Sequence, residues 1–162
     1  MRYLDGINRF LNRILMFLGG LAVLALMLLA TGNVAFRVLH VPFGGTYEIV
    51  SFLGAIVIAF ALGYTQKHRD HIVVDILSER FPRGLQTAVD TFADLCIVVF
   101  FGIVAWQLYV WAGKLWQGRE VSETLKVIYY PFVYAVALGF AVLSLTGLVA
   151  FLKRLLGEED KA

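Results

Sequence analysis

Two acidic residues inside a long apolar run are the first residues of this sequence that could do chemistry. Asp90 and Asp94 stand four positions apart, so a helix would place both carboxylates on one face. A charge within a membrane is costly and often marks an ion path, a proton relay or a paired contact. The simpler interpretation is that both lie near a helix start, where water and the helix dipole favour them. If Asp94 is buried, we expect it to need a basic or polar partner, such as a group on a neighbouring subunit.

Glu48 is another candidate, because a carboxylate near a membrane span can couple transport to protons, as in four-helix drug exporters. Its position two residues after Thr46 favours a different role. Thr46 can cap a helix, and the first turn of a helix favours negative charge. We therefore expect Glu48 to stabilise the start of a helix.

His68, His71 and Asp75 are spaced like part of a metal site. A short His motif in a loop lacks the closed ligand set that holds zinc, and haem ligation needs histidines inside the bundle. The sequence also shows no nucleophile with its base, no phosphate loop and no pair of catalytic carboxylates. It predicts no metal, no cofactor and no enzyme activity, and it leaves these residues as structural or partner-contact candidates.

The distribution of apolar residues places all these candidates in a membrane protein. Of 162 residues, 60% are hydrophobic, and they fall in four blocks: Ile14–Leu39, Tyr47–Tyr64, Thr87–Trp111 and Val127–Leu152. Each block is about as long as the ~17–25 residues that cross a ~30 Å hydrocarbon layer. The blocks lack the alternation of barrel strands, so they must be helices, which satisfy their own backbone in lipid. We predict an all-α membrane protein with four transmembrane helices in a single domain over residues 1–162.

The segment between the second and third blocks predicts a short interfacial amphipathic helix. One helical face carries Ile72, Val73, Ile76, Leu77 and Phe81, and another carries Asp75, Ser78 and Glu79. Such a helix lies among the lipid headgroups with its apolar face toward the acyl chains. Pro82 interrupts it before the third span.

The basic residues predict the orientation of the chain. The amino-terminal leader, the loop between spans two and three and the tail carry ten: Arg2, Arg9, Arg13, Lys67, Arg69, Arg80, Arg83, Lys153, Arg154 and Lys161. The two other loops carry Arg37, Lys114, Arg119 and Lys126. Cytoplasmic loops are the richer in Lys and Arg, so both termini should be cytoplasmic. The sequence shows no mitochondrial or lipidation pattern, so we expect a bacterial inner membrane. The net charge of +2 gives no indication of nucleic-acid binding.

A stripe of small residues on span two predicts a close helix contact. Ala55, Ala59 and Gly63 recur every four residues and so lie along one side of a helix. Small side chains let a second helix approach closely in a membrane. We expect this stripe to contact another helix.

The assembled features resemble the small, DctQ-like permease subunit of tripartite ATP-independent periplasmic (TRAP) transporters. The resemblance covers nearly the whole chain and is carried by the four spans and by two segments. Residues 44–48, Gly-Gly-Thr-Tyr-Glu, begin span two, and residues 63–75, Gly-Tyr-Thr-Gln-Lys-His-Arg-Asp-His-Ile-Val-Val-Asp, follow it. The second segment is the more specific.

The resemblance implies a scaffold subunit that pairs with a large multi-span subunit holding the substrate and sodium sites. It also implies an organic anion delivered by a periplasmic substrate-binding protein. Two alternatives from other functional classes stay open: a membrane anchor for a redox enzyme, and an autonomous small exporter. A haem band in the purified complex would favour the first alternative, and transport by this chain alone in vesicles would favour the second.

Overall fold

A computed structural model of the chain describes residues 2–40, 44–68 and 83–155. Over these residues it has four α-helices: α1 Arg2–Val38, α2 Thr46–His68, α3 Arg83–Gly118 and α4 Tyr130–Leu155. Their stretches long and apolar enough to cross a membrane are Asp5–Val38, Thr46–Gln66, Thr91–Gly118 and Tyr130–Lys153. The predicted all-α membrane protein with four transmembrane helices is confirmed. The segment of the predicted interfacial helix lies outside the described residues.

Helix α1 is longer than its apolar block, because it begins at Arg2 and so includes the polar leader. Its 37 residues make a rod of roughly 55 Å, which exceeds the ~30 Å hydrocarbon layer. A helix of this length must tilt or project from the membrane. After its last residue, Val38, a turn places His40 in a left-handed conformation with a φ of 59°, and the His40 N–H donates to the Arg37 carbonyl at 3.2 Å.

The helices pack in an order that differs from their order in the chain. α1 packs along α2, α2 along α4, and α4 along α3, whereas α1 meets α4 at few positions. α2 and α4 run in the same direction, because Phe52 stacks on Phe132 near their first residues and Gly63 approaches Val142 further along. α3 therefore lies at the edge of the bundle: in an apolar segment of 18 residues only 6% of α3 is buried, against 39% in the corresponding segment of α4.

The bundle has two ends, which carry different polar contacts. We call the end that contains Thr46 and the α3–α4 loop the loop end. The opposite end, which contains Asp5, His68 and Lys153, is the terminal end. Between them Leu15, Ala59, Phe60 and Val142 form a small cluster of buried apolar side chains. Many large apolar side chains instead face outward, as expected for a protein surrounded by lipid.

The α3–α4 loop begins with a well-defined helix cap. Arg119 adopts a left-handed backbone conformation, with a φ of 48°. Its N–H donates to the Trp116 carbonyl, and the Glu120 N–H donates to the Leu115 carbonyl, both at 3.3 Å. This is a Schellman arrangement, which satisfies carbonyls at the end of α3 and turns the chain back across the bundle.

Candidate functional site

Glu48 holds the α3–α4 loop against the start of α2. Its Oε1 accepts a hydrogen bond from the Thr124 N–H at 2.7 Å, and its Oε2 accepts one from the Leu125 N–H at 3.0 Å. Both N–H donors belong to a turn outside the helices and so have no helical carbonyl to bind. The Glu48 carboxylate supplies the acceptors instead. Glu48 also lies in the first turn of α2, where negative charge is favourable. Glu48 therefore lies at the helix start that the sequence predicts, and it also makes a tertiary contact that the sequence does not indicate.

The turn that Glu48 binds is closed by its own hydrogen bonds. The N–H of Ser122 donates to the Val127 carbonyl at 2.8 Å, and the Ser122 Oγ accepts from the Val127 N–H at 3.1 Å. Ser122 is fully buried, and Lys126 takes a left-handed conformation with a φ of 55°. At Gly45 a Cβ atom would overlap the Leu125 side chain, so the absence of a side chain lets the turn seat on α2.

Replacing Glu48 by Gln tests this contact. Gln keeps one acceptor oxygen but sets an NH2 group against a backbone N–H, so the turn should open more often. We expect hydrogen exchange at the Thr124 and Leu125 amides to accelerate roughly tenfold or more, as read by exchange mass spectrometry. Glu123→Gln, an exposed acid in the same loop, is the control and should leave these rates unchanged. Equal rates in both variants would contradict the role given to Glu48.

A buried polar cluster joins α1 to α4 toward the terminal end. The Asn12 Nδ2 donates to the Asn8 Oδ1 at 2.8 Å, to the Asn8 carbonyl at 3.0 Å and to the Thr146 Oγ1 at 3.1 Å. The Thr146 hydroxyl lies 2.9 Å from the Asn8 Oδ1 and 2.8 Å from the Val142 carbonyl, both of which can accept its proton. Asn8, Asn12 and Thr146 are at most 4% exposed. Their hydrogen bonds satisfy the Asn12 amide and Thr146 hydroxyl donors, which would be costly to bury alone, whereas the Asn12 Oδ1 has no partner among the described residues.

An ion pair next to this cluster joins the same two helices. The Lys153 Nζ lies 3.2 Å from the Asp5 Oδ1, and both side chains are about one-fifth exposed. An ion pair of this exposure contributes about 0–1 kcal/mol, so the buried cluster is the stronger link between α1 and α4.

The small-residue stripe on α2 is divided between two environments. Ala59 is fully buried, and a Cβ at Gly139 of α4 would lie 2.8 Å from both the Ala59 Cβ and the Ala59 carbonyl oxygen. A Cβ at Gly63 would lie 2.7 Å from the Asn12 Oδ1. Ala55 is exposed. Two members of the stripe therefore make close contacts within the chain, and Ala55 faces outward.

The remaining sequence candidates are not brought together with Glu48. Asp94 is only 7% exposed, in the part of α3 nearer the terminal end, whereas Glu48 is at the loop end. Asp90 belongs to α3, and His68 is the last residue of α2. His71 and Asp75 lie outside the described residues. Within the parts of the chain that the structure describes, no group of three His, Cys, Asp or Glu could hold a metal ion.

Sequence reasoning missed the contacts of Asn8, Asn12 and Thr146, whereas Gly139 belongs to a set of small residues on span four for which the sequence predicts close packing. Asn8 and Asn12 have the spacing of one helix face, which would have indicated a buried contact if the leader had been read as part of α1. Thr146 carries no such signal, because small residues are common along span four. Chemically, Asn8, Asn12 and Thr146 link α1 to α4, and Glu48 links α2 to the α3–α4 loop.

Comparison with known proteins gives one family. The model of the family described as tripartite ATP-independent periplasmic transporters, DctQ component, matches residues 26–157. The match includes α2, α3 and α4 and begins within α1. No curated protein matches the chain.

Proposed function

Because the chain belongs to the DctQ family of TRAP transporter components, we propose that it is the small scaffold subunit of a sodium-coupled importer. In this proposal the cargo is an organic anion, which a periplasmic binding protein delivers. A large multi-span membrane subunit holds the substrate and sodium sites. The small subunit gives that partner a fixed support in a bacterial inner membrane.

The observation that carries the scaffold role is how the polar side chains of the bundle are used. Glu48 binds a loop, Asn12 binds a neighbouring helix, and Ser144 of α4 donates to the Val98 carbonyl of α3 at 3.0 Å. A transport site needs polar groups that converge on a cavity, commonly at broken helices. Contacts that lock helices together instead favour a part that keeps its shape while another part moves.

Gentle purification through this subunit tests the function. We expect mass spectrometry of the complex to identify a large multi-span membrane protein in a defined ratio with this chain. Recovery of the chain alone, or with a haem-containing enzyme, would overturn the proposal.

Asp94→Asn tests whether this chain serves as a scaffold or forms part of the transport site. If the buried Asp94 carboxylate serves packing or assembly, its replacement should weaken the complex while the sodium dependence of the remaining transport stays unchanged. A changed sodium stoichiometry in an intact complex would place this chain in the transport site and contradict the scaffold role.

The excess of basic residues at the terminal end predicts that this end is cytoplasmic. In intact cells, a membrane-impermeant thiol reagent should label Gly118→Cys but not Gly84→Cys. Both variants need Cys96→Ala as background, because Cys96 is itself exposed. Permeabilised cells supply the control, since both positions should then react. Labelling of Gly84→Cys alone in intact cells would reverse the topology.

A further inference from the structure

Helix α3 packs on a single neighbour and leaves its opposite side uncovered by the described residues. Toward α4 it buries Ala105 and Ala112, and Gly102 allows Ser144 to approach. The opposite side carries Cys96, Phe100, Ile103, Gln107 and Lys114, all exposed. We call these five residues the far face of α3.

Gln107 is the residue of the far face whose side chain is unsuited to contact with lipid acyl chains. It precedes Gly118, the last residue of α3, by eleven positions, or roughly 16 Å along the helix. Half the hydrocarbon thickness is about 15 Å, so Gln107 lies near the membrane middle when Gly118 lies at the surface. Its side chain is too short to bring the carboxamide to water from that depth.

Two other exposed or half-exposed polar side chains in the spans bond to the backbone of their own helix. The Ser51 Oγ donates to the Tyr47 carbonyl at 2.9 Å, and the Thr65 Oγ1 donates to the Ala61 carbonyl at 3.1 Å. Gln107 is exposed and makes no hydrogen bond to any residue within the described ranges. A carboxamide without a partner in acyl chains is unfavourable, and in membrane proteins such groups bond across helices.

Lys114 adds a charge to the same side. It lies seven positions after Gln107, and the two line one shallow groove together with Trp111. Its long side chain can reach the headgroups from its place near the end of α3. It also offers donors to a helix in the groove, so the far face presents an amide and a cation to any occupant.

We propose that the far face of α3 docks a transmembrane helix of the large partner subunit, which presents a carboxylate, amide or hydroxyl acceptor level with Gln107. This inference rests on the proposed function. The charge favours a different chain over a second copy of this one. A twofold axis normal to the membrane would set Lys114 against Lys114, and like charges at an interface are costly.

The test uses the intact complex, with this chain and its large subunit co-expressed. A photo-crosslinking amino acid is placed at position 107 and, as a control, at position 58, where Ile58 of α2 is 62% exposed. Mass spectrometry identifies the captured peptides. We expect position 107 to capture the large subunit near the membrane middle and position 58 to yield little of that product.

The effect of Gln107→Leu on recovery of the partner subunit distinguishes a docked Gln107 from one exposed to lipid. If Gln107 faces lipid, Leu should leave recovery of the partner unchanged or improve it, since an apolar side chain suits acyl chains. If Gln107 bonds to a partner helix, recovery in detergent should fall roughly 3- to 30-fold. Ile58→Leu should have no effect.

The outcomes separate this inference from the function on which it rests. If the wild-type chain recovers no large subunit, the proposed function fails. If it recovers that subunit but position 107 captures only lipid and Gln107→Leu is neutral, the docking inference alone is overturned. Capture of a second copy of this chain at position 107 would also overturn it.

Discussion

Gly139→Ala is expected to lower the free energy of unfolding by about 1–3 kcal/mol, because the added methyl group has no space between α2 and α4. A Cβ there would lie 2.8 Å from the Ala59 carbonyl oxygen and 2.9 Å from the Ala59 carbonyl carbon. Backbone atoms cannot turn away as a flexible side chain can, so the two helices must separate. Circular dichroism during unfolding in mixed micelles measures the change.

Gly20→Ala is the matched control for Gly139→Ala. A Cβ at Gly20 meets no atom within 4 Å, so its effect isolates the preference of helices for Ala over Gly. That preference is worth up to about 1 kcal/mol and should leave the control unchanged or more stable. Equal stabilisation of both variants would contradict the close α2–α4 contact.

Ala59→Leu enlarges the other side of the same contact. The fully buried Ala59 has no room for a larger side chain. We therefore expect Ala59→Leu to lower the free energy of unfolding, as Gly139→Ala does, and to lower the recovery of the large subunit. Leu28→Met, on an α1 residue that is 75% exposed, should leave recovery unchanged. Normal recovery of the large subunit with Ala59→Leu would show that the contact between α2 and α4 tolerates a larger side chain.

Asn12→Asp is expected to destabilise the bundle by about 3 kcal/mol or more, because it places a buried charge without its donors. The Asn12 Nδ2 donates to Asn8 and Thr146, and Asp would set oxygen against oxygen at nearly the same size. Because Asn12 is 1% exposed, water cannot take the place of the lost donors.

Asn33→Asp is the matched control for Asn12→Asp, on the same helix near its other end. Asn33 is half-buried, and the change should cost less than about 1 kcal/mol. Lowering the pH should reduce the deficit of Asn12→Asp, since a protonated carboxyl regains one O–H donor. The unfolding measurement is therefore repeated at two pH values. Equal losses in both variants at both values would contradict a buried cluster.

The four spans were predictable because their signal is local. A run of apolar residues long enough to cross the hydrocarbon layer can be read without knowing what it packs against. The long α1 was only partly predictable. Its apolar block begins at Ile14, but the helix continues through the polar leader to Arg2 because Asn8 and Asn12 have partners on α4.

The sequence by itself determined where Glu48 and the small residues of α2 lie on their helix. The tertiary structure decided which of them are buried and which groups they contact. Glu48 was placed at a helix start by its neighbours, but its partner Thr124 lies 76 positions away. Ala55, Ala59 and Gly63 share a helix side, yet only the packing of α2 on α1 and α4 buries the last two. The sequence allows Asp94 to lie at the membrane interface or in the interior, and the fold buries it. Hydropathy and helical spacing act within a segment, while burial and hydrogen-bond partners depend on distant segments, and only the folded chain brings those together.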